Sequence, residues 1–248
     1  MKTIDLNADL GEGCDDAAVM PHISSANIAC GFHAGDAATM RRTVALCIAH
    51  GVAIGAHPSL HDRQNFGRRE MEVAPDEVYA QALYQVGALA TIARAAGTTV
   101  HHVKPHGALY NMAARDRALA DAVARAVRDF DPSLILVGLA GGALIDAART
   151  TGLRVAREAF CDRRYRANGS LTPRSQTNAV IEDIGDAVVQ AVSIATRNEA
   201  IAEDGSRVRI EADTLCVHGD RGNAGEFARR LREALEHEGL RVAAPESC

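Results

Sequence analysis

The chain has 248 residues, with 27 Lys plus Arg against 32 Asp plus Glu for a formal charge of −5, and it is 47% hydrophobic and 24% charged. That is ordinary globular usage. It excludes a disordered, collagen-like or coiled-coil chain, and the mild acidic balance argues against a broad nucleic-acid footprint, which calls for a basic surface. No run of 18 apolar residues marks a membrane span. Asp5 and Asp9 sit where a signal peptide needs an apolar stretch, so a cytoplasmic protein is expected. Cys14, Cys30, Cys47, Cys161, Cys216 and Cys248 are dispersed, with no Cys-x-x-Cys pair, and read as reduced and mostly buried thiols.

Short apolar runs predict strands over residues 3–9, 26–30, 53–57, 100–104, 134–139, 154–160 and 214–218, several apolar on successive residues as in strands covered on both faces. Asp36 is placed to cap a helix after the second strand. Val78, Ala82, Val86, Leu89 and Ala93 recur at helical spacing behind Pro75-Asp76-Glu77. Leu119, Val123, Val127 and Phe130 do the same. So do Val180, Ile184, Val188, Ala191 and Ala195, with Asn178 as the expected cap, and finally Ala224, Phe227, Leu231 and Leu235. Residues 161–177 form a long, Arg-rich excursion, and 199–211 a small hairpin around Asp204-Gly205. No linker or repeat divides the chain, so residues 1–248 are expected to form one domain. Strand–helix alternation implies a parallel sheet with helices outside, either a barrel or an open doubly wound sheet.

Polar, titratable residues recur at or just past the C-terminal ends of these strands, the end that carries active sites in parallel α/β folds. They are Asn7 and Asp9, Asn27 and His33, His57 and His61, Lys104 and His106, Glu158, and His218 and Asp220. Lys104 at a strand end suits an anionic substrate or charge building on oxygen. His106 titrates near neutrality and can move protons, and Glu158 is a candidate base. Arg68, Arg164 and Arg174 are candidate contacts to carboxylate or phosphate. Two glycine-rich turns, 138–142 and 218–225, offer backbone N–H groups to an anion, but neither is a Walker A loop. Asp9, His33, His57 and His61 hold enough N and O ligands for a divalent ion, although no tight spacing unites them. Cys30 and Cys216 read as core residues.

The ordered set DLNADLGEG (5–13), ANIACGFHAGD (26–36), GAHPSLHD (55–62), FGRREM (66–71), VKPHGALYN (103–111), EAFCDRRYRANGSLTPRSQ (158–176) and CVHGD (216–220) resembles the LamB/YcsF family, which is associated with the A subunit of prokaryotic ATP-dependent 5-oxoprolinase. The resemblance implies a single-domain seven-stranded parallel β/α barrel related to glycoside hydrolase and deacetylase barrels. It implies cleavage of 5-oxo-L-proline to L-glutamate with hydrolysis of ATP, supplied with Mg, to ADP and phosphate. It also implies two partner subunits similar to the two parts of allophanate hydrolase. Under it, Asp9, His33, His57, Lys104, His106 and Glu158 are the candidate catalytic residues, and Asn7, Asn27, Arg68, Arg164, Arg174, His218 and Asp220 the candidate substrate and phosphate contacts. The fold is also compatible with a homodimer. Two other readings stand beside this one: a metal-dependent deacetylase or amidase using Asp9, His33, His57 and His61, and a non-catalytic lactam-binding regulator.

Overall fold

Strand β1 (Thr3–Leu10) sets the logic of the molecule, whose computed structural model describes residues 1–174, 176–217 and 223–246. Side chains alternate across a strand. Ile4, Leu6, Ala8 and Leu10 therefore pack among the surrounding helices, while Asp5, Asn7 and Asp9 point into the barrel. The chain then lays down β2 (Ser25–Ala29), β3 (Ala53–His57), β4 (His102–Val103), β5 (Ile135–Leu139) and β6 (Arg154–Phe160), each parallel to its predecessor. An antiparallel hairpin, β7 (Glu199–Ile201) and β8 (Arg207–Arg209), stands outside, as the Asp204-Gly205 turn predicts. Strand β9 (Thr214–Val217) pairs with β6 on one side and β1 on the other, which closes a seven-stranded parallel barrel. A two-residue strand, β10 (Arg241–Val242), adds to the start of β1 and has no counterpart among the strands expected from sequence.

The helices are α1 (Asp16–Val19), α2 (Ala37–His50), α3 (Pro75–Ala95), α4 (Gly107–Ala113), α5 (Arg117–Phe130), α6 (Ala143–Thr150), α7 (Ile184–Arg197) and α8 (Ala224–His237). Asp36 caps α2 by accepting from Thr39 N at 2.7 Å. The predicted stripe of α3 is wholly buried, Leu89 included, and removing such a side chain from water is worth roughly 1.5–3 kcal/mol. Helix α7 begins later than its apolar spacing predicts. Asn178 lies in the left-handed region (φ 65°) and caps nothing; Asp183 is the cap, accepting from Asp186 N. Residues 179–181 are engaged elsewhere: the Ala179 carbonyl accepts from Arg164 N, and Ile181 N donates to Asp162 O. Strand β4 is shorter than expected because Pro105 has no N–H to extend its ladder. Its flanks still bond to β3 through His101 N to Ile54 O and Lys104 N to Ala56 O. Among the described residues no helix is long and apolar enough to cross a membrane.

The barrel interior has two characters. Next to Ile135, Val137 and Ala156 of β5 and β6, which are in contact, it is apolar. Next to β1–β4 it is polar. Gly55 makes room there: a Cβ at that position would lie 2.0 Å from His102 Nε2. The His102 ring therefore occupies the space beside β3 and meets Asn27 Oδ1 at 2.9 Å.

Candidate active site at the barrel mouth

Lys104 directly follows β4 and is 2% exposed. Its ammonium donates to Glu158 Oε1 (2.7 Å), Asp9 Oδ1 (2.9 Å), Asn7 Oδ1 (3.1 Å) and Cys216 Sγ (3.2 Å). Burial opposes the charge, but the two carboxylates outweigh it and hold the lysine pKa well above its ordinary value. Beneath this group, Asn27 Nδ2 donates to Asn7 Oδ1 and Asp9 Oδ1, and Asn7 Nδ2 donates to Glu158 Oε1 and Thr214 Oγ1. Asn7 and Asn27 thus lie under the mouth as fully buried supports rather than in its lining.

Three histidines converge beside Asp9. His57 ends β3, and its Nδ1 meets the Lys104 carbonyl at 2.7 Å while Nε2 faces Asp9 Oδ2 at 3.3 Å. His106 precedes α4; its Nε2 meets the Phe66 carbonyl at 2.9 Å, and its Nδ1 lies 3.0 Å from His57 Nε2. His33 sits on the loop after β2, which Arg63 staples by donating to the Gly31 and Gly35 carbonyls. Its ring stacks on that of His106 at 3.8 Å and 6°. The fourth member, Glu12, comes from the loop after β1, where the Asp16 carboxylate fastens Gly11 N and Thr43 Oγ1. Glu12 Oε1 lies 2.9 Å from His33 Nε2, 3.5 Å from His106 Nδ1 and 3.9 Å from His57 Nε2. Burial, reinforced by the neighbouring rings, holds His33 down to about 2 and His106 well below the usual imidazole value. For His57, burial pulls the same way but the Asp9 carboxylate reverses it, and the pKa is raised.

The loop between β3 and α3 brings one carbonyl to His106. Asp62 accepts from the Asn65 side chain (2.6 Å), and its own carbonyl accepts from Gly67 N. Phe66 is thereby turned into the left-handed region (φ 55°), rare for a non-glycine residue, with its carbonyl toward His106. Gly67 and Gly107 allow the close approach: a Cβ on Gly107 would lie 2.4 Å from Gly67 O.

Above the cluster opens a cavity of about 620 Å³, within the range of small-molecule sites. Asp9, Glu12, His57, Lys104 and His106 form its floor, and Arg68, Arg115, Arg163, Arg166 and Arg174 stand around it. Of the predicted anion contacts, Arg68 and Arg174 line the cavity and Arg164 does not; Arg163 and Arg166 do. Arg163 is buried and clamps the excursion by donating to the Thr172 and Ala179 carbonyls. Gln190 of α7 binds the same excursion through the Phe160, Cys161 and Arg163 carbonyls. The glycine turn 138–142 lines the cavity, yet Ala140 N and Gly142 N already donate to Glu158 O and Leu139 O, so two of its amides are not available to an anion. His61 is exposed, stands against the Phe32 ring at 4.8 Å and lies outside the histidine cluster. The ligand set anticipated from sequence is Asp9, His33, His57 and His61; the titratable side chains whose ligand atoms come within 4.8 Å of one another are Glu12, His33, His57 and His106. His218 and Asp220 fall outside the described residues.

Sequence reasoning missed Glu12 and Tyr110. Glu12 lies between two glycines three positions past Asp9, one loop beyond the strand end. Tyr110 follows the Lys104–His106 motif by one helical turn. Its hydroxyl is buried beside the Glu158 carboxylate, and His33 Nδ1 is buried with no hydrogen-bond partner. Burial, then the nearby Glu158 charge, pushes the Tyr110 pKa well above its ordinary value, so the hydroxyl keeps its proton. Cys216 is buried as expected but also touches the Lys104 ammonium, and burial keeps its thiol protonated.

The LamB/YcsF family pattern matches residues 4–248. The chain belongs to the LamB/YcsF family. Within it, the chain is 55% identical to the A subunit of a 5-oxoprolinase from Bordetella pertussis, over 97% of this chain and 98% of that one. It is 54% identical to the corresponding 5-oxoprolinase chain from Geobacillus kaustophilus, over 99% and 98%. The crystal structure of a lactam utilization protein from Thermus thermophilus superposes with a TM-score of 0.93 at 49% identity, covering 99% of this chain and all of that one.

Proposed function

We propose that this chain is the component of an ATP-dependent 5-oxoprolinase that carries lactam-ring chemistry, working with two partner subunits similar to the two parts of allophanate hydrolase. The observation that carries the reading is Lys104, a buried ammonium held between Asp9 and Glu158 on the floor of an arginine-rimmed cavity, in a chain whose near full-length relatives carry the 5-oxoprolinase name.

A five-membered lactam resists hydrolysis because its amide nitrogen is a poor leaving group. Transfer of the γ-phosphoryl group of Mg-ATP to the lactam oxygen forms one O–P bond and releases ADP. Water then adds to the ring carbon, losing a proton to a carboxylate. Collapse breaks the C–N bond, the nitrogen takes up a proton, and γ-glutamyl phosphate forms; a second water releases phosphate and leaves glutamate. Lys104 stabilises negative charge on the reacting oxygens, and Asp9, on the cavity floor, is the base. The Tyr110 hydroxyl, which keeps its proton, donates to a substrate oxygen. Arg68 and Arg174 face the substrate carboxylate and the phosphoryl group. Residues 1–248 act in this scheme as one domain.

The test is glutamate release from 5-oxoproline with Mg-ATP, with ADP counted in parallel, for the chain alone and with its two partners. The expected result is glutamate matched by ADP only in the full mixture, lost in Lys104→Met. Turnover in an assembly lacking this chain overturns the reading.

A further inference from the structure

We propose that Glu12, His33, His57 and His106 form a binding site for one divalent transition-metal ion, such as Zn²⁺, at the floor of the cavity. The partners of each ring decide which nitrogen carries hydrogen. A backbone carbonyl only accepts, so the His57 nitrogen facing Lys104 O is Nδ1–H, and the His106 nitrogen facing Phe66 O is Nε2–H. In neutral imidazoles that leaves the lone pairs of His57 Nε2 and His106 Nδ1 facing each other at 3.0 Å. The two acceptors need a positive charge between them: a proton on His57 Nε2, shared with Asp9 Oδ2 at 3.3 Å, in the free chain, and the metal ion that displaces it in the loaded one. Glu12 Oε1 and His33 Nε2 complete the group, 2.9 Å from each other, and all four ligand atoms lie within 4.8 Å of one another. Ligands bound at about 2.1 Å in a tetrahedron are roughly 3.4 Å apart, and the contacts of 2.9, 3.0, 3.5 and 3.9 Å bracket that value. Three imidazoles and a carboxylate suit a borderline ion better than Mg²⁺ or Ca²⁺, which prefer all-oxygen shells.

The surroundings are those of a ligand shell. Outer partners fix the tautomer and ring orientation of metal-bound histidines, and here the Lys104 and Phe66 carbonyls do so. The shape of the 62–67 loop, with its left-handed Phe66 and its close approach to Gly107, is explained by that requirement. A bound ion would stand beside Asp9, on the side of His57 that Asp9 Oδ2 faces. Its link to lactam cleavage rests on the function proposed above: it would add a second positive group, next to Lys104, where charge builds on the substrate oxygens.

The test uses the full chain, stripped with a chelator and dialysed, then titrated with Zn²⁺ by calorimetry and with Co²⁺ by visible absorption. The expected result is one ion per chain, with Co²⁺ bands of a four- or five-coordinate site. Glu12→Gln and His33→Ala, each shown to be folded by circular dichroism, should weaken binding at least about 100-fold, beyond the 10–100-fold typical of outer-partner changes. His61→Ala should leave it unaltered. Zn²⁺ binding that is absent, or that survives both ligand variants, overturns the site. Glutamate release is measured on the same samples in the full assembly: full activity in metal-free protein overturns the metal's role while leaving the lactamase reading intact. Stoichiometric metal without any glutamate overturns the lactamase reading while leaving the site intact.

Discussion

Two buried polar networks hang from the same strand and differ in one respect. At the lower end of β1, Asp5 accepts from Ser24 and Ser25 at 2.7 Å and from Thr214 at 2.5 Å, and Thr214 in turn accepts from Asn7. Among the described residues no ion pair reaches Asp5 itself, the Lys104 ammonium touches this network only at Asn7, and none of its buried side-chain atoms is left without a partner. Four residues later, Asp9 joins Lys104, His57 and Glu158 in a network that sets Glu158 beside the buried Tyr110 hydroxyl and, next to His57, leaves His33 Nδ1 buried without a partner. A closed network ties strands together. An open one keeps bonding capacity for something that arrives, because buried polar groups are otherwise satisfied. The position of a charge along a barrel strand thus separates scaffold from site.

The contrast is sharpest at Lys104. Replacing it by Met leaves the Asp9 and Glu158 charges uncompensated and should cost about 3–5 kcal/mol in urea unfolding. Adding Glu158→Gln should restore part of that stability but no glutamate release; recovery of activity would mean that the upper network is only scaffold. Gly55→Ala lies between the two networks. It pushes the His102 ring off Asn27 and should cost about 1–3 kcal/mol, with a lower Tm and a weakened substrate KM if the strain is passed upward to Asp9. Ser25→Ala removes a donor to both Asp5 oxygens and should cost about 1–3 kcal/mol, while glutamate release per folded molecule is unchanged. A matching loss of kcat would erase the distinction between the two ends.

The smallest effect is one of pH. Burial, only partly offset by the hydroxyl donors and with Glu158 adding to it, raises the Asp5 pKa above its ordinary 3.8. A raised folded-state value means that the fold holds the proton more tightly than the unfolded chain. The contribution of Asp5 is then fully present below pH 3.8 and is lost as pH rises through the folded value. Asp5→Asn should flatten that part of the stability–pH curve, and an unchanged slope in Tm measured across it would assign the titration to another group.

Much of the fold is legible in the sequence. The 3–4 spacing of Val78 through Ala93 specifies α3, and the boundaries of β3 and β6 match their apolar runs, because each pattern follows from the chain's own local geometry. Asp9, His57, Lys104 and His106, read as polar strand ends, do gather on one cavity floor. The errors are all of partnership. Asn178 has the right side chain for a cap, but the Arg163 clamp holds its neighbour in a loop. His61 has the right side chain for a ligand, but Pro58 and the 62–67 loop carry it to the surface beside Phe32. Arg164 yields its place to Arg163 and Arg166, since bridges from 163 to 180 and from 165 to 171 set which residues of the excursion face inward.

The amino-acid sequence alone determined the order of strands and helices, the inward period of Asp5, Asn7 and Asp9, and the kinds of group available at the barrel's C-terminal end. All of these depend on neighbours within a few residues. Only the tertiary structure decided that Glu12 joins His33, His57 and His106, that Lys104 lies between Asp9 and Glu158, and which nitrogen of each ring faces its partners. Those choices depend on the closure of β9 against β1 and on carbonyls delivered from loops 47 and 40 residues away in the chain, and no local pattern encodes a distance between strands that meet only when the barrel closes.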